Sequence, residues 1–131
     1  MGHRSHRPGV GVVEVKRVYD DPDPDDGARL LVDGLWPRGL RKDQVVVDEW
    51  LRDIAPSKEL RRWYGHKPDR FPEFAQRYRA ELREPARAAA LSRLRDYMEA
   101  GRVTLLTSVR ELPYAHTAVL QKVLTAKKRD S

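Results

Sequence analysis

Val103-Thr104-Leu105-Leu106-Thr107 is the stretch whose reading decides the fold. It is a short apolar run without glycine or proline, and it reads as a strand. The segments on either side of it carry helical periodicity. Upstream, Pro85 opens a segment in which Ala88, Leu91, Leu94 or Arg95, and Met98 trace an apolar stripe up to a stop at Gly101. Downstream, the span 115–126 buries Val119, Leu120, Val123 and Leu124 as one helix face. With helices of ten or more residues before and after it, the strand is reached by a crossover, and a right-handed crossover makes at least part of the sheet parallel.

Moving outward, Val12 to Val18 alternates apolar with polar after its first two residues and is rich in β-branched side chains, as a strand with one buried face requires. Leu30-Leu31-Val32-Asp33 is a second, buried strand, and Pro37 in the following Gly34-Leu35-Trp36-Pro37-Arg38-Gly39 ends its ladder. Val45 to Leu51, with three consecutive valines, predicts a third strand, with helix as the competing reading. Ser57 caps a helix over 58–64 that Gly65 closes. Phe71, Phe74, Tyr78 and Leu82 fall three, four and four apart, so the next helix has one apolar face, opposite Arg70, Arg77 and Arg83. The expected class is α/β: a largely parallel four-stranded sheet with helices packed on it, without repeats.

In the 131 residues, 40% hydrophobic and 35% charged, there is material for one core and a heavily charged exterior. Residues 1–10 lack apolar periodicity and read as a disordered lead or cloning remnant, 11–126 as a single domain, and 127–131 as a basic tail. No run approaches the roughly 18 apolar residues that cross a bilayer, and no signal-peptide core is present, so the expectation is no membrane and a cytoplasmic location. The absence of cysteine removes disulfides, thiolate metal sites and cysteine nucleophiles. Lys and Arg number 26 against 20 Asp and Glu, a net charge of 26 − 20 = +6 that favours anionic partners. Acid gathers in Asp20, Asp21, Asp23, Asp25 and Asp26, where the two prolines and Gly27 predict a solvated surface turn rather than a calcium loop.

An open parallel sheet places ligands beyond the carboxyl ends of its strands, here the loops beginning at Tyr19, Asp33 and Thr107. Asp33-Gly34-Leu35-Trp36-Pro37-Arg38-Gly39 is the most distinctive of these. Arg38 can grip phosphate or carboxylate bidentately, Trp36 can stack on a ring, and the glycines allow close approach. In the competing reading Trp36 is a core anchor, the loop merely turns, and Asp33 pairs with Arg38. His66, after Trp63-Tyr64-Gly65, is either a proton shuttle or a C-terminal helix cap, and His116 is equally two-sided. A zinc site from His66, His116 and Asp33 lacks any short-range ligand pair. Ser108 and Thr107 lack the glycines of a nucleophile elbow, and neither a phosphate loop nor a dinucleotide fingerprint occurs.

Val-Lys-Arg-Val-Tyr-Asp at 15–20, Leu-Val-Asp-Gly-Leu-Trp-Pro-Arg-Gly-Leu at 31–40, Ala-Pro-Ser-Lys-Glu-Leu-Arg-Arg-Trp-Tyr-Gly-His at 55–66 and Phe-Ala-Gln-Arg-Tyr-Arg-Ala-Glu-Leu at 74–82 resemble the YeaO-like family, domain of unknown function family 488. The resemblance runs from about residue 12 to 124. It implies a small Rossmann-like α/β domain and no established reaction or cofactor. It also marks Asp33, Trp36, Arg38, Trp63, His66 and Arg110 as site or scaffold positions. After the fourth strand the chain departs from the family pattern: a usual histidine and asparagine are replaced by Tyr114 and Ala115, with His116 nearby. If that pair is catalytic in relatives, activity here is lost or moved.

Two functions from different classes follow. The first is a cleft for a small phosphorylated or nucleotide-like anion held between Arg38 and Arg110. Trp36 would stack, Trp63 and His116 would contribute to the wall, and Asp33 or His66 would act as acid or base. The second is a nucleic-acid or protein-binding module using Arg61, Arg62, Arg70, Arg77 and the tail, interleaved with Trp63, Tyr64 and Tyr78. An Arg-rich helix face is more often only a solvated surface.

Overall fold

The computed structural model describes residues 9–126; most of the expected lead and all of the expected basic tail lie outside the described residues. Val103–Thr107 is the pivot of the sheet. Among the described residues the strands are β1 (Val13–Arg17), β2 (Ala28–Leu31), β3 (Glu49–Trp50) and β4 (Val103–Thr107). They lie in the order β1-β4-β2-β3 and every pairing is parallel. β4 pairs along its whole length with β1, Val13 opposite Val103 through Arg17 opposite Thr107, and on its other edge with β2, Ala28 opposite Val103 through Leu31 opposite Leu106. Both of its faces are also covered, Val103 and Leu105 by one core cluster and Leu106 by another, which is why all five of its residues are buried.

The helices are α1 (Lys58–Tyr64), α2 (Phe71–Glu81), α3 (Pro85–Ala100) and α4 (His116–Thr125). All four contribute to one core with Val13, Leu30, Val103 and Leu105, through Leu60 and Tyr64, Phe74 and Tyr78, Leu94, and Val119, Leu120 and Leu124. The apolar spacing of α2 is realised directly: Phe74, Tyr78 and Leu82 are buried, and the deeply placed Tyr78 hydroxyl donates to the Ile54 carbonyl at 2.6 Å. Ser57 caps α1 by accepting from the Leu60 amide, and Glu81 at the end of α2 accepts from the Ser57 amide at 2.8 Å, which locks the two helices together. On the opposite sheet face Val18, Leu31 and Leu106 are covered by an irregular segment carrying Trp36, Leu40, Val45, Val47 and Trp50.

Two local expectations change. The strand expected over Val45 to Leu51 is only Glu49–Trp50, because the buried Arg29 donates from Nε to the Val46 carbonyl at 2.7 Å and its amide donates to the Asp48 carboxylate at 2.8 Å. Those side-chain bonds hold the valine run before the backbone ladder begins. The acidic turn is not wholly solvated either. Asp26 is buried and pairs with Lys16 at 3.1 Å and with the Arg29 guanidinium, while Asp20, Asp21, Asp23 and Asp25 stay exposed.

Candidate functional site

Because every strand runs the same way, the loops after β1, β2 and β4 leave the sheet at one end, and with β4 in the middle the residues after Thr107 lie between the other two loops. The Val18 amide donates to Thr107 and the Val32 amide to Leu106, so the three strand ends stay level. A cleft of about 390 Å³ opens there, walled by Tyr19, Asp33 to Arg38, Ala55, Arg61, Tyr64, His66, Ser108, Tyr114 and His116.

Asp33 is the cleft's anchor. Buried just past β2, its carboxylate accepts from the Thr107 hydroxyl at 2.6 Å and from the Ser108 amide and hydroxyl at 2.8 Å each. Its carbonyl accepts from the Trp50 indole at 2.7 Å. The pairing with Arg38 is absent; neutral donors from the end of β4 satisfy the carboxylate instead. His116, at the start of α4, places Nε2 at 3.0 Å from the Val32 carbonyl and 3.5 Å from Asp33 Oδ1. Burial lowers the pKa of its imidazole; Asp33 and the Val32 carbonyl pull it back up, and Arg61 lowers it further. The neutral ring with its proton on Nε2 therefore donates to Val32.

The cations stand on the outer walls. Arg38 and Arg61 are both exposed, and among the described residues neither has a carboxylate within ion-pair distance. Gly34 packs closely against the Arg61 side chain and Ala55. A Cβ there would sit 3.2 Å from an Arg61 guanidinium nitrogen and 3.3 Å from Ala55 Cβ. His66 has a left-handed backbone, φ 55°, directly after Gly65, which closes α1 at φ 55°. No other non-glycine residue among those described has positive φ, and such a conformation costs a β-carbon-bearing residue about 1 kcal/mol. α4 begins with Ala115 at its N-cap, which supplies no side-chain acceptor, and the Ala118 amide donates to the Ala115 carbonyl at 3.0 Å.

Trp36 serves both of its competing readings. Its ring lines the cleft, yet its indole donates to the Leu40 carbonyl at 2.6 Å and meets Trp50 edge-on at 5.4 Å within the second core cluster. Of the residues singled out from sequence, Asp33, Trp36, Arg38, His66 and His116 share the cleft. Arg110 and Trp63 are not among its walls: Arg110 is exposed, and Trp63 has the guanidinium groups of Arg70 and Arg77 at 5.2 and 4.4 Å from its ring. Tyr19 lies where the strand-end rule put it, whereas Arg61 and Tyr64 of α1 are cleft residues that sequence reasoning did not assign there. Arg61 had a usable signal, since it lies three before Tyr64 and shares its helix face. Among the described residues no three His, Asp or Glu side chains converge as a metal site, and no helix is long and apolar enough to cross a membrane.

A family model described as "Inactive DUF488-N3 subclade" matches residues 12–131. An uncharacterized protein of Mycobacterium tuberculosis is 50% identical over 115 residues, covering 88% of this chain and 95% of that protein. An uncharacterized protein of Mycobacterium bovis matches to the same extent. The uncharacterized protein YeaO of Escherichia coli is 38% identical over 108 residues, covering 82% of this chain and 92% of its own. No solved structure matches significantly.

Proposed function

We propose that this chain, which belongs to the YeaO-like DUF488 family, binds a small phosphorylated anion in the strand-end cleft and does not transform it. The observation that carries the reading is the division of charge within the cleft. Its buried carboxylate, Asp33, is satisfied by neutral donors, whereas the guanidinium groups of Arg38 and Arg61 face it without an acidic partner. Two guanidinium groups offer the forked donors that phosphate oxygens accept, and His66 adds a third donor. In this reading Arg61 takes the part expected of Arg110 from the family resemblance and strand-end clustering. Asp33 and His116 take structural parts: Asp33 is buried and ties the end of β2 to Thr107 and Ser108 through three hydrogen bonds, and His116 donates to the Val32 carbonyl. The word "inactive" in the family description supports binding without turnover.

Isothermal titration with inorganic phosphate and with ribose 5-phosphate tests this. Arg38→Ala and Arg61→Ala are each expected to weaken binding by about tenfold or more, and the double variant to abolish it, with unchanged circular dichroism. Unaltered affinity in the double variant would put the anion elsewhere, and no binding to the native chain would end the proposal.

The Arg-rich helix face supports a nucleic-acid or protein partner less well. Arg77 pairs with Glu73 and stacks on Trp63, and Arg70 stacks there too and donates to the Trp63 carbonyl. Groups already engaged in this way would have to be released before gripping a phosphate backbone. Steeply salt-dependent binding of single-stranded DNA, lost in Arg62→Ala/Arg70→Ala but retained in Arg38→Ala, would revive that alternative.

A further inference from the structure

An anion site accounts for the cationic walls of the cleft but leaves its rim without a role. Among the described residues five large hydrophobic side chains are exposed, and three of them, Tyr19 at 42%, Leu35 at 72% and Tyr114 at 41%, stand around this one opening. Single apolar residues scattered over a surface need no explanation, but several gathered at one concave mouth mark a contact surface. Each comes from a different strand-end loop, following β1, β2 and β4 in turn. They meet only because the sheet is parallel.

The two aromatic members are braced. The Tyr19 hydroxyl donates to the Arg38 carbonyl at 3.4 Å, and the Arg17 guanidinium lies 4.9 Å from its ring centre. The Tyr114 carbonyl accepts from the Tyr64 hydroxyl at 2.6 Å, and its ring meets Phe71 edge-on at 5.9 Å. Rings held this way lose little further freedom when something packs on them. A lipid-like chain would need an enclosed aliphatic channel, whereas two phenol rings and one leucine at an open mouth suit a flat heterocycle that remains partly wet.

Resting on the anion-site reading above, we infer that the ligand is a nucleoside monophosphate. Its phosphate would lie between Arg38 and Arg61, its sugar would cross the opening above Gly34, and its base would pack against Tyr114 and Tyr19 with Leu35 closing the edge. Binding is recognition only, with no bond made or broken.

The test is titration of the full chain with adenosine monophosphate, ribose 5-phosphate and inorganic phosphate in parallel. Adenosine monophosphate is expected to bind about tenfold more tightly than ribose 5-phosphate, the contribution of one stacked base. Tyr114→Ala and Tyr19→Ala should each narrow that gap, with Tyr114→Ala leaving inorganic phosphate unchanged, while Tyr114→Phe, which keeps the ring, should preserve it. Equal affinity for adenosine monophosphate and ribose 5-phosphate would overturn the base-binding rim and leave the anion site standing. A gap that survives in both alanine variants would overturn it as well. Failure of all three probes to bind would overturn the rim and the anion site together.

Discussion

Two buried aspartates bracket β2, and they are satisfied in opposite ways. Asp26, two residues before the strand, is 7% exposed and is held by the charges of Lys16 and Arg29 together with the Asp23 amide. Asp33, two residues after it, is 8% exposed and takes its hydrogen bonds from a threonine hydroxyl and from the amide and hydroxyl of a serine. At the first end cations are consumed inside the fold, so that end is structure. At the second the carboxylate needs no cation, so Arg38 and Arg61 remain available at the surface. The difference teaches where a charged chain can bind something: at the end where its buried acids and its exposed bases are not each other's partners.

The largest effect expected from this contrast is at Asp26. Asp26→Asn strands the Arg29 guanidinium in the interior without a counter-charge, and urea denaturation should show a loss of about 3–5 kcal/mol. Asp33→Asn removes no ion pair but turns an amide donor toward groups that are themselves donors, and the same measurement should show about 1–3 kcal/mol. A cost at Asp33 equal to or above that at Asp26 would undo the comparison.

Acid sharpens it further, because the two ends should fail in separate pH windows. Burial lowers the His116 pKa, so below roughly pH 6.5 the unfolded chain binds a proton that the folded chain refuses. Stability at the cleft end is full above that pH and falls as pH drops, by at most about 1.4 kcal/mol per pH unit, until the histidine's own lowered pKa is passed. At the other end burial raises the Asp26 pKa, but hydrogen bonds from the Asp23 amide, Lys16 and Arg29 outweigh it and the net shift is downward. That contribution is intact above the ordinary carboxylate range and disappears only as pH falls through the lowered value. Denaturation midpoints measured from pH 7 to pH 5 should therefore decline in the native chain and flatten in His116→Asn. An unchanged slope in that variant would remove His116 as the cause.

The smallest expected effect is a gain. His66→Gly relieves the left-handed backbone beside the cleft and should raise stability by roughly 0.5 kcal/mol, after the greater freedom of glycine in the unfolded chain is subtracted, while weakening phosphate binding. A variant that is more stable and binds as well as the native chain would show that the conformation is not there for a ligand.

The elements that could be read in advance were those whose signal is local. The stripe from Phe74 to Leu82, the Ser57 cap, the Gly65 stop and the uninterrupted run Val103–Thr107 each declare themselves within a few residues, because capping and periodicity act over one or two turns. Val45 to Leu51 did not. Its propensity was that of a strand, but the Arg29 side chain on the Val46 carbonyl and the Arg29 amide on the Asp48 carboxylate, nearly twenty residues away, decided how much of it paired. The loop from Asp33 to Gly39 was legible as unusual, yet its choice of partners was not.

The amino-acid order by itself determined the α/β class, the parallel sense of the sheet around β4 and the strand-end loops in which a site would be sought, since all three follow from short-range propensity and the crossover rule. Only the tertiary structure decided that the second cleft cation is Arg61 rather than Arg110, and that Asp33 turns inward to Thr107 and Ser108. The reason is that a side chain's partner depends on which distant backbone approaches it. Gly34 lies against the Arg61 guanidinium, a contact between residues 27 apart that no local pattern encodes.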